Sequence, residues 1–409
     1  MNIAFLTLGC KLNFAETATY EREFVSAGHT VVDWREKADI YVINTCTVTD
    51  TSDSKSRNLI RKVHRINPDA RIVVTGCSAQ LRREAISRIE GVTHVFGATE
   101  KGQLTASVLG LPIPERSGFF PAYSTPGERT RAFLKVQDGC NNYCAYCTVP
   151  YARGESRNQP VCSIVREARE IAAAGAREIV LTGVNTGDFG RSTGETFLDL
   201  CKALNEVEGI ERYRISSIEP NLLTDEMIDW IASGTKFLPH FHIPLQAGCD
   251  ELLSAMGRHY DTAFFKEKIG YIRKAMERPG KARVFFGIDL MAGLPGETDE
   301  LFERGLHFLE ELRPAFIHIF PYSRRPGTPA WSMPGQVDAS VKAERVKRLE
   351  ELCGKLHSEF IEANRGLPEK VLFESRERGG MMSGFTGNYI RIERPYDPAA
   401  VGEIRDVII

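Results

Sequence analysis

The chain has 409 residues, 42% hydrophobic and 26% charged, with a formal net charge of −2. It is long enough for two or three domains. No apolar run approaches the ~18 residues of a membrane span, and residues 1–8 lack the basic and long apolar stretches of a secretion signal, so a cytoplasmic protein with no membrane partner is expected. In that setting the ten cysteines read as metal ligands or catalytic groups, not as a disulfide framework.

Strands are expected at residues 2–8, 40–44, 71–75 and 94–97, with helices at 16–27, 54–66 and 79–89 between them. That alternation is the mark of a parallel-sheet α/β layer. This N-terminal domain, residues 1–110, runs into a linker, residues 111–128, marked by Pro112, Pro114, Gly118, Pro121, Pro126 and Gly127. Its helix at 54–66 carries Lys55, Arg57, Arg61, Lys62 and Arg65 and no acid. A solvated helix face accounts for such a run unless the site chemistry points to nucleic acid.

A second series, residues 129–335, has strands at 133–137, 178–182, 213–217, 241–244, 284–290 and 316–320, separated by helical patterns. Six β/α steps suit a partial (β/α)6 barrel, whose chemistry belongs at the C-terminal strand ends. A connecting helix fills residues 336–367, with Val346, Leu349, Leu352, Leu356 and Phe360 on one stripe. Residues 368–409 read as a small all-β domain in which Ile390 and Ile392 alternate with outward Tyr389 and Arg391.

Cys140, Cys144 and Cys147 form a CxxxCxxC on the loop after the first barrel strand. Three thiolates there can hold three irons of a 4Fe–4S cube, and nothing local completes the fourth. Structural zinc needs four closed ligands and usually paired CxxC knuckles, and neither is visible. An open iron can chelate S-adenosylmethionine and pass an electron into its sulfonium.

Cys10, Cys46 and Cys77 lie far apart in sequence, yet each follows an expected parallel strand: Leu8-Gly9-Cys10, Asn44-Thr45-Cys46 and Thr75-Gly76-Cys77. Open α/β sheets bind ligands beyond the carboxyl ends of their strands, so the three should converge as a second tripod. Three separate core thiols are the alternative. Cys162, Cys201, Cys249 and Cys353 repeat neither pattern.

The remaining strand ends outline a pocket. Its candidate cofactor contacts are Tyr146 on the cysteine loop, Thr182, Gly183 and Asn185 after the second strand, and Ser217 and Glu219 after the third. Gln246 and Arg258 follow the fourth, and Asp289 sits in the apolar fifth, where it needs a partner to stay charged. Glu219 suits the cofactor's amino group or caps the next helix; Arg258 suits its carboxylate.

These residues resemble the methylthiotransferase family of radical S-adenosylmethionine enzymes over nearly the whole chain. The resemblance implies two 4Fe–4S clusters, S-adenosylmethionine as cofactor and a C-terminal RNA-binding domain of the TRAM type. It also implies roles. Cys140, Cys144 and Cys147 would hold the cluster that cleaves S-adenosylmethionine, and Cys10, Cys46 and Cys77 the auxiliary cluster that carries the transferred sulfur. A first S-adenosylmethionine methylates that sulfur and a second generates the radical.

Gly9-Cys10-Lys11-Leu12-Asn13, Asn44-Thr45-Cys46-Thr47-Val48-Thr49 and Phe320-Pro-Tyr-Ser-Arg324-Arg325-Pro-Gly-Thr-Pro329 resemble the branch acting on N6-threonylcarbamoyladenosine in tRNA. The partners implied are the tRNA anticodon arm, a reducing electron donor and a sulfur source, and a monomer is expected. The basic helix would then grip phosphates, while Tyr389 and Arg391 would stack on or position a loop base. Tyr389 also reads as an ordinary exposed strand aromatic. Alternatives are an isopentenyladenosine tRNA substrate, a ribosomal-protein substrate, or a non-catalytic iron–sulfur RNA-binding protein, against which the open irons argue. Cys249 stands where the family carries serine, and the C-terminal domain is shorter than the family's usual one.

Overall fold

The computed structural model describes residues 1–47, 50–113, 118–127 and 129–409; Val48, Thr49 and Pro114 of the motifs above lie outside them. Strands β1 (Asn2–Thr7), β2 (Thr30–Val31), β3 (Ile40–Thr45), β4 (Arg71–Gly76) and β5 (Val92–Phe96) form one parallel sheet in the order β2-β1-β3-β4-β5. Burial explains its composition. Ile40 to Thr45 are all buried, as strands covered on both faces by crossover helices must be.

The second unit strings β6 (Ala132–Lys135), β7 (Glu178–Thr182), β8 (Arg212–Ile215), β9 (His240–His242), β10 (Phe285–Ala292) and β11 (Phe316–Pro321) side by side. Two three-stranded parallel sheets, β6-β7-β8 and β9-β10-β11, are stitched by the parallel bridges Tyr213–Phe237 and Ser217–His242. The result is the open six-stranded barrel expected. Its helices start on side-chain caps: Thr196, Thr224, Asp261 and Thr298 each accept an N–H from the first turn, satisfying donors that the helix itself cannot.

Strand alternation divides the barrel residues cleanly. Leu134, Ile179, Leu181, Tyr213, Ile215, Phe241, Ile288, Leu290 and Ile317 pack outward in one core with the helices. By period two, Lys135, Glu178, Arg212, Arg214, His240, His242, Asp289 and His318 point inward. An interior so rich in charge is built to hold something other than hydrocarbon.

The tail is a four-stranded antiparallel sheet, β14 (Arg391–Pro395), β13 (Met381–Thr386), β12 (Pro368–Arg378) and β15 (Ile404–Ile408). It follows the helix Ala339–Asn364 and caps the end of the barrel where the strands begin. Arg212 donates to the Lys370 carbonyl at 3.0 Å, and Arg214 to those of Thr386 and Gly387 at 2.7 and 2.8 Å.

Here one expectation is corrected. Tyr389 does not alternate outward on a strand; it occupies the turn before β14 with φ +66°. Its ring stacks on Phe385 and packs on His240 and Phe285, with centroids 4.7, 4.9 and 5.6 Å away. A ring so placed closes the end of the barrel and is not an exposed strand aromatic. Arg391 is exposed as expected, paired with Glu393 at 2.8 Å.

Candidate active site between two cysteine tripods

Each N-terminal cysteine sits just past a strand, as its sequence position implies. Cys10 is the N-cap of the helix Lys11–Ser26, and Cys77 opens the short helix Cys77–Leu81. Gly9, at φ +97°, is required there: a Cβ would stand 2.7 Å from Cys46 Cβ and 2.9 Å from its sulfur. Asn13 ties two of the loops together, its amide donating to the Leu8 and Thr45 carbonyls at 2.7 and 3.1 Å.

The barrel tripod is a single loop. Gly139, at φ +76°, lies against the Glu155 carbonyl where no side chain fits. The Asn142 and Val149 N–H groups donate to the Cys140 and Cys147 sulfurs at 3.5 and 3.4 Å. Arg258 donates to the Cys144 sulfur at 3.1 Å. Burial pushes the Cys140 thiol up to about 11 and that of Cys147 up to about 12, against the pull of those N–H groups. Burial likewise raises Cys77, opposed by Arg153 and Lys101.

Thiols held protonated in this way must give up the proton before they can ligate a metal. Among the described residues neither cysteine trio draws its sulfurs within 4.8 Å of one another. One zinc ion would demand that closeness; a four-iron cube, with a separate corner for each thiolate, does not.

A buried ionic network joins the two tripods. Glu16 meets Lys101 at 2.7 Å, Lys135 at 2.9 Å and Arg153 at 3.2 Å. Asp138 meets Lys135 at 2.6 Å and Arg153 at 2.8 Å. Arg153 also donates to Asn13 Oδ1 at 2.6 Å. Burial alone would raise both carboxyls, but the three cations outweigh it and hold them well below the usual range.

A second tie crosses the same interface. Arg325, after β11, donates to Asp53 at 2.6 Å and to Thr47, beside Cys46, at 2.8 Å. Asp53 in turn accepts from Ser78, beside Cys77, at 2.9 Å. Of Glu16, Asn13, Arg153, Asp138, Asp53 and Gln137, only Asn13 lay in a quoted motif, and none was read as a site residue. The visible hint was Gln137-Asp138 just before Gly139-Cys140, two polar residues ending an apolar strand.

At the barrel mouth, Gln137 accepts from the Val184 and Asn185 N–H groups at 2.9 and 3.0 Å and donates to the Gly139 carbonyl at 2.7 Å, fixing the turn beside the cysteine loop. Asn185 Oδ1 accepts from the Glu219 N–H at 3.2 Å, while Asn185 Nδ2 and Ser216 Oγ are buried with no partner. Orphaned donors at that depth are what a bound polar cofactor would satisfy.

Glu219 and Arg258 are hydrogen-bonded to each other, and Arg258 also reaches Tyr146 at 3.4 Å and Tyr260 at 3.0 Å. Gln246 has φ +74°, and its backbone pairs with β10 through a parallel bridge to Leu290. Thr182 is committed elsewhere, its hydroxyl donating to the Leu134 carbonyl at 3.1 Å. Ser217 contributes its backbone, the carbonyl accepting from the Thr186 hydroxyl at 2.9 Å. Asp289 finds its partner inside the barrel, His242, at 2.7 Å. Cys249 caps the helix Asp250–Ala255 within the outer core, away from the barrel interior.

Lys55, Arg61, Lys62 and Arg65 are exposed on the helix Asp50–Ile66, with Arg57 half-buried beside them. None of the five enters an ion pair among the described residues. Asp53, Ser56, Ile60 and Val63 of the same helix face inward.

Comparison with known proteins settles the kinship. The radical SAM superfamily model matches residues 134–309, and the model of an uncharacterized protein family, UPF0004, matches residues 2–97. The threonylcarbamoyladenosine tRNA methylthiotransferase MtaB of Bacillus subtilis is 38% identical, with 100% of this chain and 93% of that protein covered. The chain belongs to the radical S-adenosylmethionine methylthiotransferase family. A tRNA-2-methylthio-N(6)-dimethylallyladenosine synthase of Carboxydothermus hydrogenoformans is 31% identical over 91% of this chain and 88% of its own length. Among solved structures, the radical S-adenosylmethionine methyltransferase TsrM of Kitasatospora setae shares the fold, at TM-score 0.59 and 16% identity over 81% of this chain and 75% of that one. The family makes this chain a transferase. No helix among the described residues is long and apolar enough to cross a membrane.

Proposed function

We propose that this chain adds a methylthio group at carbon 2 of N6-threonylcarbamoyladenosine beside the anticodon of tRNA. The observation that carries the reading is the pair of cysteine tripods, one at the barrel mouth and one at the facing strand ends, pinned to each other by the Glu16–Arg153–Asp138 network. The name of the Bacillus subtilis relative supports the choice of nucleoside.

In this reading Cys140, Cys144 and Cys147 hold one 4Fe–4S cluster and Cys10, Cys46 and Cys77 the other. When bound, the first supplies the electron that splits S-adenosylmethionine and the second the sulfur to be transferred. The protein's own groups do the rest. Arg258 stands against the Cys144 sulfur and neutralises part of its charge. Asn185 Nδ2 and Ser216 Oγ offer free donors to the cofactor, with Gly183, Ser217 and Gln246 supplying backbone. Glu219 is placed to exchange Arg258 for the cofactor's ammonium group.

Lys55, Arg57, Arg61, Lys62 and Arg65 form the phosphate grip, since unpaired exposed cations release counterions when they bind a nucleic acid, and Arg391 adds a cation from the tail. A one-electron reductant and a sulfur source must come from outside. The protein acts in the cytoplasm, as a monomer.

The test uses anaerobically reconstituted protein, S-adenosylmethionine and a threonylcarbamoylated anticodon stem-loop. Replacing Cys10, Cys46 and Cys77 together with alanine should leave 5′-deoxyadenosine formation intact and abolish the methylthio product in nucleoside mass spectra. Product from that triple variant, or none from the wild type, would sink the reading.

A further inference from the structure

One cation inside the barrel stands apart from all its neighbours. Lys11, in the first turn of the helix Lys11–Ser26, has no hydrogen bond or ion pair among the described residues. Water reaches it, yet its electrostatic surroundings are the barrel interior: Tyr389, Arg131, Arg214 and Asp289. The helix start that carries it abuts the barrel mouth, where Asn13 accepts from Arg153 at 2.6 Å and Glu16 meets Lys135 of β6 at 2.9 Å, so Lys11 stands at the lumen and not on the outer surface.

Each of those neighbours already has a counter-charge or donor. Arg131 meets Glu374 at 3.0 Å, Arg214 meets Glu178 at 2.8 Å, and Asp289 meets His242 at 2.7 Å. Lys11 alone is unmatched. The position is also costly to the fold. A cation at a helix N-terminus opposes the macrodipole, and a half-enclosed ammonium without a partner loses hydration. Stability gives no reason for a lysine here.

A second donor waits beside it. His318 faces the lumen directly across from Asp289 in the β10–β11 register. Its ring lies 5.1 Å from that of His242, and it makes no hydrogen bond among the described residues. His242, Asp289 and His318 gather within 4.8 Å; His242 Nε2 and Asp289 Oδ1 are taken up with each other at 2.7 Å, and His318 is the ring with neither nitrogen bonded among the described residues.

We infer that the lumen recognises a carboxylate on the substrate's N6 substituent, with Lys11 meeting its charge and His318 donating a second hydrogen bond. The inference rests on the reading above and deepens it. A threonylcarbamoyl group carries a free carboxylate and a hydroxyl, whereas a dimethylallyl group is uncharged hydrocarbon. A phosphate of the RNA backbone is the other anion at hand, but it lies outside, where the basic helix is. Only a splayed base and its substituent enter a space lined by six short strands. Lys11 follows Cys10 directly, so the group that reads the substituent is built into the same turn as one sulfur tripod. Lys11 is thus a specificity-determining residue.

The experiment needs two stem-loop RNAs, identical except that one bears the threonyl carboxylate and the other its neutral carboxamide. Binding to the reconstituted holoenzyme is measured by fluorescence anisotropy, and conversion by mass spectrometry. The wild type should bind the carboxylate RNA at least about tenfold more tightly. In Lys11→Gln the preference should fall to within about threefold, and in Lys11→Arg most of it should return. Equal wild-type affinity for both RNAs overturns the inference without any variant. If the wild type still converts the carboxylate RNA in that case, the methylthiotransferase reading stands alone; if it converts neither RNA, both readings fall.

Discussion

The two cysteine tripods reach the same end by opposite routes. Cys140, Cys144 and Cys147 occupy one loop, and their geometry is local: a glycine that admits the Glu155 carbonyl, two N–H donors to sulfur and one arginine. Cys10, Cys46 and Cys77 come from three strand ends and are assembled by the sheet, by Asn13 and by Asp53. The first tripod needs little beyond its loop; the second exists only when its domain is folded. That difference teaches where each is vulnerable.

The largest effect is expected at Glu16. Replacing it with alanine strands Lys101, Lys135 and Arg153 in the interior, and removing one member of a buried ionic set costs about 3–5 kcal/mol. Thermal unfolding should show the loss. Because Asn13 hangs on Arg153, the dispersed tripod should lose iron before the loop tripod does; equal loss from both would break the contrast.

The next effect concerns RNA. Changing Lys55, Arg61 and Arg65 to alanine should weaken tRNA binding several-fold near physiological salt and flatten its salt dependence by up to ~0.7–0.9 for each phosphate no longer neutralised. An unchanged slope would make this helix a solvated face and would leave the dispersed tripod's domain without a nucleic-acid role.

The smallest effect serves as a control remote from both tripods. Glu167 on the outer helix Val161–Ala173 is pushed up to about 7, first by burial and then by Glu170. Its proton is held more tightly folded than unfolded, so stability should decline as pH rises from about 4.5 to about 7 and then level off. Glu167→Gln should remove that decline and gain on the order of 2 kcal/mol above pH 7, with iron retention at both tripods unchanged. Melting curves across pH decide it.

How much of this was open to the sequence depended on which residues carried the signal. The six barrel strands and the strand-end positions of Cys10, Cys46, Cys77 and the Cys140–Cys147 loop were legible, because periodicity and strand-end position are local properties. Glu16 was not. A glutamate on a helix ordinarily faces water, and nothing nearby shows that this one turns inward with Asn13 and Thr17 and reaches Lys135 of β6. Arg325 lay in a noted motif, but its partner Asp53 is 272 residues away.

Tyr389 failed for a different reason. The alternation rule was applied two residues before the strand begins, across a Gly387-Asn388 turn that reverses the ring inward. Gly-Asn before an aromatic was the available warning.

The antiparallel tail has a consequence beyond any grip on RNA. Arg212 and Arg214 hand their donors to its carbonyls, and Tyr389 closes over His240 and Phe285. The tail is therefore a stopper. Trim it away and the tube stands open at both ends, so that bulk water and stray reductants gain a back door to whatever short-lived species the front end produces. A truncated enzyme should then waste its fuel and not simply slow down.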